Sequence, residues 1–231
     1  MINCEWGIEG INKYSSDSVV TVIIDVLSFS TCVDIALSKN AVIFPYRFKD
    51  DSAIQYAKTN NAVLASFNRS KDSYSLSPAS LKNINTETRI VLPSPNGSEL
   101  SLSSKSKVTM CACLRNYRAV AESINSISGN VVVIPAGEKW TNGTIRFAIE
   151  DYLGAGALIS ELKGELSVEA YASKKLFESL KTELRDVIRG SISGRELIEK
   201  GFPEDVDLAL ESNAGKTIPI LLDNYYTNSS F

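Results

Sequence analysis

The sequence contains no histidine and little cysteine, and both shortages narrow the chemistry open to it. Among 231 residues there are 0 His and 4 Cys. Without imidazole there is no Ser/His/Asp or Cys/His nucleophile pair, no histidine zinc site and no imidazole acid/base catalysis. The cysteines, Cys4, Cys32, Cys111 and Cys113, lack the density and regular spacing of a disulfide framework. We therefore expect a reduced, cytoplasmic protein, and an enzyme with this sequence must use carboxylates, Lys, Arg, Tyr, Cys or a metal.

The chain also lacks a strong excess of charge and a long hydrophobic run. Its 24 Lys and Arg against 27 Asp and Glu give a formal net charge of -3, which argues against a general nucleic-acid surface. No apolar run approaches the ~20 residues needed to cross a bilayer, and the first ten residues do not resemble a secretion signal. We expect no nucleic-acid or membrane partner and a small anionic substrate; homo-oligomerisation stays open.

Apolar runs of strand length alternate with segments of helical period. Residues 19–25 (VVTVIID) are nearly all apolar and β-branched, as in a strand covered on both faces. We predict further strands at 41–46, 62–67, 89–92, 108–112, 131–134 and 218–222, and helices at 30–38, 50–59, 116–127, 145–163, 168–188, 194–200 and 204–210. This alternation predicts an α/β fold, a layered sheet of mostly parallel strands covered by helices. Residues 1–231 would form a single domain or two closely packed lobes.

Polar residues follow four of the predicted strands, where the site of such a sheet usually lies, at the carboxyl ends of the strands. They are Asp25 with Ser28–Thr31, Ser94–Ser98, Arg115–Asn116, and Gly137–Glu138 through Gly143. Asp25 ends an apolar strand, where a carboxylate is costly without a cation or hydrogen bonds. It is therefore a candidate magnesium ligand or general base. A carboxylate that caps the helix starting near Ser30 is an equally good interpretation.

The segment Ser94, Asn96, Gly97 and Ser98 has the hydroxyls, amide and glycine of a backbone nest for an anion, although ordinary turns use the same residues. Asn116 begins a predicted helix, whose N-terminal amides also favour anions. Arg115, next to it, fits a solvated surface charge equally well.

The predicted helix 145–163 carries two acids near its core-facing stripe. Asp151 lies at the edge of the stripe and Glu150 further round. Asp151 could complete an oxygen-rich metal site with Asp25; the alternative is a surface pair between Arg146 and Glu150, with Asp151 merely nearby. Residues 154–157 (GAGA) leave the helix surface small enough for another element to approach closely. They do not form a GxGxxG fingerprint after a strand, which excludes dinucleotide binding.

Six segments in order resemble the motifs of the 2-phosphosulfolactate phosphatase family. They are IDVLSFST (24–31), LPSPNGS (92–98), CLRNYRAVA (113–121), VIPAGE (133–138), EDYLGAGALI (150–159) and SGRELIEKGFPEDV (193–206). The resemblance covers roughly residues 20–222. It implies a magnesium-dependent hydrolase that removes phosphate from a small sulfonated, carboxylated alcohol, a step in coenzyme M biosynthesis.

The resemblance also implies a set of site residues. They are Asp25, Ser94, Asn96, Gly97, Ser98, Asn116, Glu150, Asp151, Arg195 and Glu196. Asp25 and Asp151 would hold Mg²⁺, and a second carboxylate, with Glu150 as a further candidate, would accept the proton of the attacking water. The amides around Asn96–Ser98 and the start of the Asn116 helix, with Arg195, would hold the phosphoryl oxygens; Arg195 and Glu196 enter through the resemblance alone.

The sequence departs from the family pattern in two places. The family commonly has an arginine after DVL, where this chain has Ser28, and its usual glycine-rich stretch is replaced here by residues 66–77. Arg69, in that stretch, is a candidate for the missing positive charge. The changed loop motivates a competing hypothesis, a non-catalytic protein that binds a phosphorylated or sulfonated metabolite.

Overall fold

The structure, a computed structural model, describes residues 1–229 and has the predicted α/β fold. The strands are β1 (Ile2–Cys4), β2 (Val20–Ile24), β3 (Val42–Tyr46), β4 (Val63–Leu64), β5 (Arg89–Pro93), β6 (Val108–Ala112), β7 (Val131–Pro135), β8 (Glu138–Lys139), β9 (Ile145–Arg146), β10 (Pro219–Leu222) and β11 (Tyr225–Asn228). The helices are α1 (Gly7–Tyr14), α2 (Phe29–Leu37), α3 (Ser52–Thr59), α4 (Pro78–Leu81), α5 (Gly97–Ser103), α6 (Tyr117–Ile124), α7 (Ile149–Glu161), α8 (Val168–Leu180), α9 (Leu184–Gly190), α10 (Ile192–Glu199) and α11 (Pro203–Ala209).

The main sheet has 9 strands in the order β1-β7-β2-β6-β10-β11-β3-β5-β4. The strands β1, β7, β2 and β6 pair in parallel, and so do β3, β5 and β4. Between these groups, β10 and β11 pair antiparallel with each other and with their outer neighbours. The two parallel groups therefore run in opposite directions. The strands β8 and β9 form a separate antiparallel pair.

Each face of the sheet is covered because its strands alternate between two apolar clusters. In β2, Val22 and Ile24 belong to a cluster that includes residues of α6, α7 and α8, whereas Ile23 belongs to one that includes α2 and α5. That second cluster also contains Ile43 and Ile90 from the other parallel group. The helices α2 and α5 thus pack in an apolar cluster to which both parallel groups contribute, and their first residues lie at the site described below.

The structure corrects several predicted boundaries. The helix predicted at 145–163 begins at Ile149, because Ile145–Arg146 pairs with β8. The helix predicted at 168–188 is two helices, α8 and α9, separated at residues 181–183. The strand predicted at 62–67 is only Val63–Leu64. Within residues 1–229, all four cysteines are free and buried, and no helix has the length and hydropathy to span a bilayer.

The small side chains of residues 154–157, predicted to permit a close approach, allow α8 to lie close to α7. A Cβ atom on Gly156 would overlap the carbonyl oxygen of Ser173 and approach the Cβ of Phe177 to 2.8 Å. Gly154 in turn faces Val26 and Ile24 of the β2 region. The prediction of a close approach at this helix is confirmed.

Replacing Gly156 by Ala should lower the free energy of unfolding by about 2 kcal/mol, because α8 must move to admit the methyl group. The matched control is Gly190→Ala at the end of α9, where an added Cβ meets no described atom within 4 Å. That variant should be neutral or up to about 1 kcal/mol more stable, since alanine favours the helix. Denaturant unfolding measures both, and equal stabilities for the two variants would contradict the close contact.

Candidate active site

The Asp25 carboxylate joins two helices that start in different parts of the chain. Its Oδ1 accepts the amide of Phe29, the first residue of α2, at 3.1 Å. Its Oδ2 accepts the amide of Gly97, the first residue of α5, at 2.9 Å. The side chain is 6% exposed. The helix-capping interpretation of Asp25 therefore holds, and the anion bound by the Gly97 amide is the protein's own carboxylate.

Position 97 requires a glycine, because the contact with Asp25 leaves no room for a side chain. A Cβ there would overlap the ring of Phe29 and lie 2.8 Å from Asp25 Oδ2. The neighbouring Asn96 donates from Nδ2 to Oε2 of Glu138 at 3.0 Å. The segment predicted as a nest thus binds two acidic side chains. The backbone amide of Gly97 binds Asp25, and the side-chain amide of Asn96 binds Glu138.

Asp151 and Glu150, at the start of α7, lie beside Asp25 and are both buried. Asp151 accepts the amide of Val26 at 2.7 Å and that of Gly137 at 2.9 Å. Glu150 Oε2 finds no hydrogen-bond partner among residues 1–229. The predicted surface pair between Arg146 and Glu150 is wrong, because Glu150 is 2% exposed and Arg146 is paired with Glu196 instead.

Asp25, Glu138, Glu150 and Asp151 form a group that we call the carboxylate cluster. Burial raises the pKa of Asp25 to about 6, against the amides of Phe29 and Gly97, and the negative charge of Glu150 adds to the rise. Burial and the charge of Asp25 raise the pKa of Glu138 to about 7. Burial, Asp25 and Glu150 raise the pKa of Asp151 well above its usual value. Raised carboxyl pKa values of this kind are common at catalytic sites.

Cationic side chains surround the cluster. Arg146 is 7% exposed, lies 5.6 Å from the Trp140 ring centroid and pairs with Glu196 at 3.7 Å, while its Nη1 finds no hydrogen-bond partner among the described residues. Arg69 donates to Ser28 Oγ at 3.2 Å. Partial burial and the positive charge of Arg69 lower the pKa of Lys49. The site therefore combines buried acids with positive groups, as a phosphate ester bound together with a cation requires.

Two cavities meet at Glu138. One, of about 280 Å³, is lined by Leu27, Arg69, Glu138, Ser193, Glu196, Leu197, Lys200 and Phe202. We call it the cationic cavity. The other, of about 460 Å³, is more apolar and lies between Trp6, Ile8, Leu100 and Ile145, with Asn96 and Glu138 among its polar lining residues. The cationic cavity has the size for a small ligand, and its lining carries two positive side chains, Arg69 and Lys200, and two acids, Glu138 and Glu196.

The remaining predicted site residues have other contacts. Asn116 accepts the amide of Cys113 at 2.9 Å and donates to Thr217, which accounts for its burial. Ser98 donates to the carbonyl of Leu92, and Ser94 is buried at the end of β5. Arg195 is exposed on α10, whereas Glu196 lines the cationic cavity. A substrate contact for these residues stays a prediction.

Arg115 is not the solvated surface charge that the sequence also allowed. It is 9% exposed and donates to Asp34 at 2.8 Å, and it also pairs with Glu211. These contacts link the turn after β6 to α2 and to the segment that follows α11. Arg115 therefore has a structural role in the described contacts, away from the carboxylate cluster.

The donor set of the cluster suits Mg²⁺, which prefers oxygen ligands and often needs only one or two carboxylates, with waters and a phosphate as the other ligands. Within residues 1–229 no three His, Cys, Asp or Glu side chains are grouped so as to hold an ion alone. The unpartnered Glu150 Oε2 is, however, a buried carboxylate oxygen that a cation would satisfy. Asp25 and Asp151 use their oxygens for backbone amides, and each oxygen keeps a second lone pair. The predicted Asp25 and Asp151 metal pair stays a prediction.

Comparison with known proteins settles which family this site belongs to. The sequence model of the 2-phosphosulpholactate phosphatase family matches residues 8–224. The chain belongs to this family. A 2-phosphosulfolactate phosphatase of Methanothermobacter thermautotrophicus is 30% identical over 210 residues, 89% of this chain and 88% of the relative. A probable 2-phosphosulfolactate phosphatase of Thermotoga maritima is 29% identical over 217 residues, 91% of this chain and 92% of the relative.

The phosphosulpholactate phosphatase match contains the whole carboxylate cluster and all the residues that line the cationic cavity. Three residues of this region, Glu138, Arg146 and Lys200, are not among the site residues that the sequence predicts; Glu138 is there a strand-end residue, and Arg146 is a surface residue in one of two alternatives. A sequence signal existed for both, since Asn142-Gly143 between them is a turn pair typical of a hairpin. Lys200 lines the cationic cavity from just after α10; it lies within the segment SGRELIEKGFPEDV (193–206), although the sequence does not single it out there.

Proposed function

We propose that this chain is a magnesium-dependent phosphatase that hydrolyses 2-phosphosulfolactate to sulfolactate and phosphate. In this proposal the reaction is a step in coenzyme M biosynthesis. The observation that supports the proposal best is the buried carboxylate cluster beside Arg146 and the cationic cavity. Membership of the family, and the relatives named as 2-phosphosulfolactate phosphatases, support the substrate. A cytoplasmic location and a homo-oligomer stay predictions.

The cluster fits phosphate-ester hydrolysis by its charge. Bound Mg²⁺ would neutralise phosphoryl charge and lower the pKa of a water, with Glu150, Asp25 and Asp151 as the candidate ligands. Glu138, whose pKa burial raises to about 7, is suited to accept a proton from the attacking water near neutral pH. Water oxygen forms the new bond to phosphorus, the ester P–O bond breaks, and the leaving alkoxide takes up a proton.

Positive side chains would hold the phosphoryl oxygens as the reaction proceeds. The Nη1 of Arg146 has no hydrogen-bond partner within residues 1–229, and Trp140 covers the guanidinium. A buried guanidinium binds a phosphate or sulfonate more strongly than an exposed one, because water competes less for its N–H groups. The chain thus supplies both the carboxylates that would bind a cation and the positively charged side chains that would bind the ester.

Phosphate release from a panel of small phosphoesters, including 2-phosphosulfolactate, tests this function. We expect release with Mg²⁺ that stops with a chelator, and 2-phosphosulfolactate as the best substrate. Folded protein that releases no phosphate from any ester with Mg²⁺ present would contradict the proposal. Tight binding of sulfolactate without turnover would then favour the binding-protein hypothesis.

A further inference from the structure

The loop of residues 66–77 holds Arg69 in a fixed position at the cationic cavity. Arg69 Nη1 donates to Asp205 Oδ2 at 2.6 Å, and Asp205 is 0% exposed. Asp205 also accepts the hydroxyl of Ser77 at 2.7 Å and the amide of Ala79 at 3.0 Å. A single buried carboxylate on α11 therefore fixes both ends of the segment that follows Arg69. A side chain held in this way loses little conformational freedom when it binds a ligand.

The contacts of Arg69 leave part of its guanidinium open to the cavity. Nη2 donates to Ser28 Oγ at 3.2 Å, and the group lies 5.7 Å from the centroid of the Phe202 ring. The side chain keeps 18% of its exposure, and Arg69 lines the cavity together with Lys200. A guanidinium has five N–H donors, so the bonds to Asp205 and Ser28 leave others for a ligand.

The cationic cavity thus brings acidic and positive side chains together. Glu138, a member of the carboxylate cluster, lines it with Glu196, and Arg69, Lys200 and Phe202 line the same cavity. A phosphoryl group next to the carboxylate cluster would direct the rest of a small ester toward Arg69. An anionic group there would meet positive charge, and a neutral group would leave that charge without a partner.

We propose that Arg69 binds the anionic group at the end of the substrate that is not transferred, a sulfonate or carboxylate, and so determines specificity. This inference rests on the proposed function. Arg69 contributes selectivity for a two-ended anion rather than to the chemistry at phosphorus. Its loss should therefore affect esters that carry the second anion and spare esters that do not.

The test compares Arg69→Gln and Arg69→Lys with the wild type on two esters. One is 2-phosphosulfolactate and the other is isopropyl phosphate, which has no second anion. We expect Arg69→Gln to lower kcat/KM for 2-phosphosulfolactate about 10- to 100-fold, mainly through KM, and to change kcat/KM for isopropyl phosphate less than about 3-fold. Arg69→Lys keeps a positive charge beside Asp205 and should therefore lose less than Arg69→Gln. It should still fall below the wild type, because an ammonium cannot bind an anion with two parallel hydrogen bonds.

The matched control is Lys71→Gln. Lys71 lies in the same loop, 5.7 Å from the centroid of the same Phe202 ring, and is exposed outside the cationic cavity. It should keep the wild-type kcat/KM for both esters. O-phospholactate, which has the carboxylate but no sulfonate, identifies the anion: a loss in Arg69→Gln with this ester assigns the carboxylate, and no loss assigns the sulfonate.

An equal loss on 2-phosphosulfolactate and isopropyl phosphate, or no loss on either, would overturn the proposal. If the wild type releases phosphate from no ester, the proposed function fails. The inference about Arg69 is then tested by measuring the dissociation constant of sulfolactate. A constant at least 10-fold higher in Arg69→Gln than in the wild type supports the inference, and an unchanged constant overturns it. Thermal unfolding of Arg69→Gln and Arg69→Lys measures whether each variant is folded, because Arg69→Gln leaves the buried Asp205 without its cation.

Discussion

Replacing Asp25 by Asn is expected to lower kcat/KM for phosphate release at least about 10³-fold while the protein stays folded. The two oxygens of the carboxylate accept the amides of Phe29 and Gly97. Asparagine has only one oxygen, so its NH₂ group would face one of these amides and displace the helix that begins there. The variant also lacks the negative charge that would attract a cation to the phosphate.

The melting temperature of the variant distinguishes a loss of activity from a loss of folding. Because burial raises the pKa of Asp25 to about 6, its charged form opposes folding at pH 8, and asparagine removes that cost. The melting temperature of Asp25→Asn should therefore stay within a few degrees of the wild type. Asp51→Asn, an exposed residue just before α3, is the control and should keep full activity. Full Mg²⁺-dependent turnover by Asp25→Asn would refute the proposed role.

Replacing Glu138 by Gln is expected to raise the free energy of unfolding of the metal-free protein by about 2 kcal/mol at pH 8. Burial and Asp25 raise the pKa of this carboxyl from 4.5 to about 7. Glutamine keeps an oxygen for Asn96 and removes the buried charge. A gain of this size raises the melting temperature of a chain of this length by roughly 4 to 8 °C.

The pH dependence of that gain follows from the direction of the pKa shift. An acid whose pKa is higher in the folded state holds more protons there, so stability falls as the pH rises from 4.5 to about 7 and is constant above. The gain in Glu138→Gln should therefore vanish below pH 4.5. Glu99→Gln, an acid paired with Lys139 at 2.8 Å at the surface, should change stability by less than about 1 kcal/mol at either pH. Thermal unfolding at pH 4.5 and 8 measures both variants, and an equal gain at the two pH values would contradict mutual repulsion in the cluster.

The sequence predicts the central strands well and the small elements poorly. β2 and β7 are β-branched runs, β6 is a mostly apolar run, and helices lie between them; this pattern is typical of buried parallel strands. β1 has three residues, too few for a period to be recognised. The hairpin β10–β11 could have been predicted, because Asp223-Asn224 between two apolar runs is a turn signal. The break between α8 and α9 has no glycine or proline to mark it.

The site was predictable where residues follow long strands and unpredictable where they come from tertiary contacts. Asp25 ends a long apolar strand, and its carboxylate is indeed buried. Glu138 and Arg146 lie on the short β8–β9 pair, whose place at the site depends on tertiary contacts, such as that of Arg146 with Glu196, that no periodicity shows. The pairing of Arg69 with Asp205 joins residues 136 positions apart, a contact that no local pattern shows.

The wide sequence separation of that ion pair also bears on synthesis of the chain. A ribosome releases Arg69 long before Asp205, so the loop that carries the arginine has no buried carboxylate to hold it until α11 has emerged. Asp25 and Gly97 follow strands of opposite parallel groups, and β10 and β11, which join these groups, emerge after α11. The site is consequently among the last parts of the chain to form, because a nascent chain cut short before α11 would lack both the partner of Arg69 and the strands that join the two halves of the sheet.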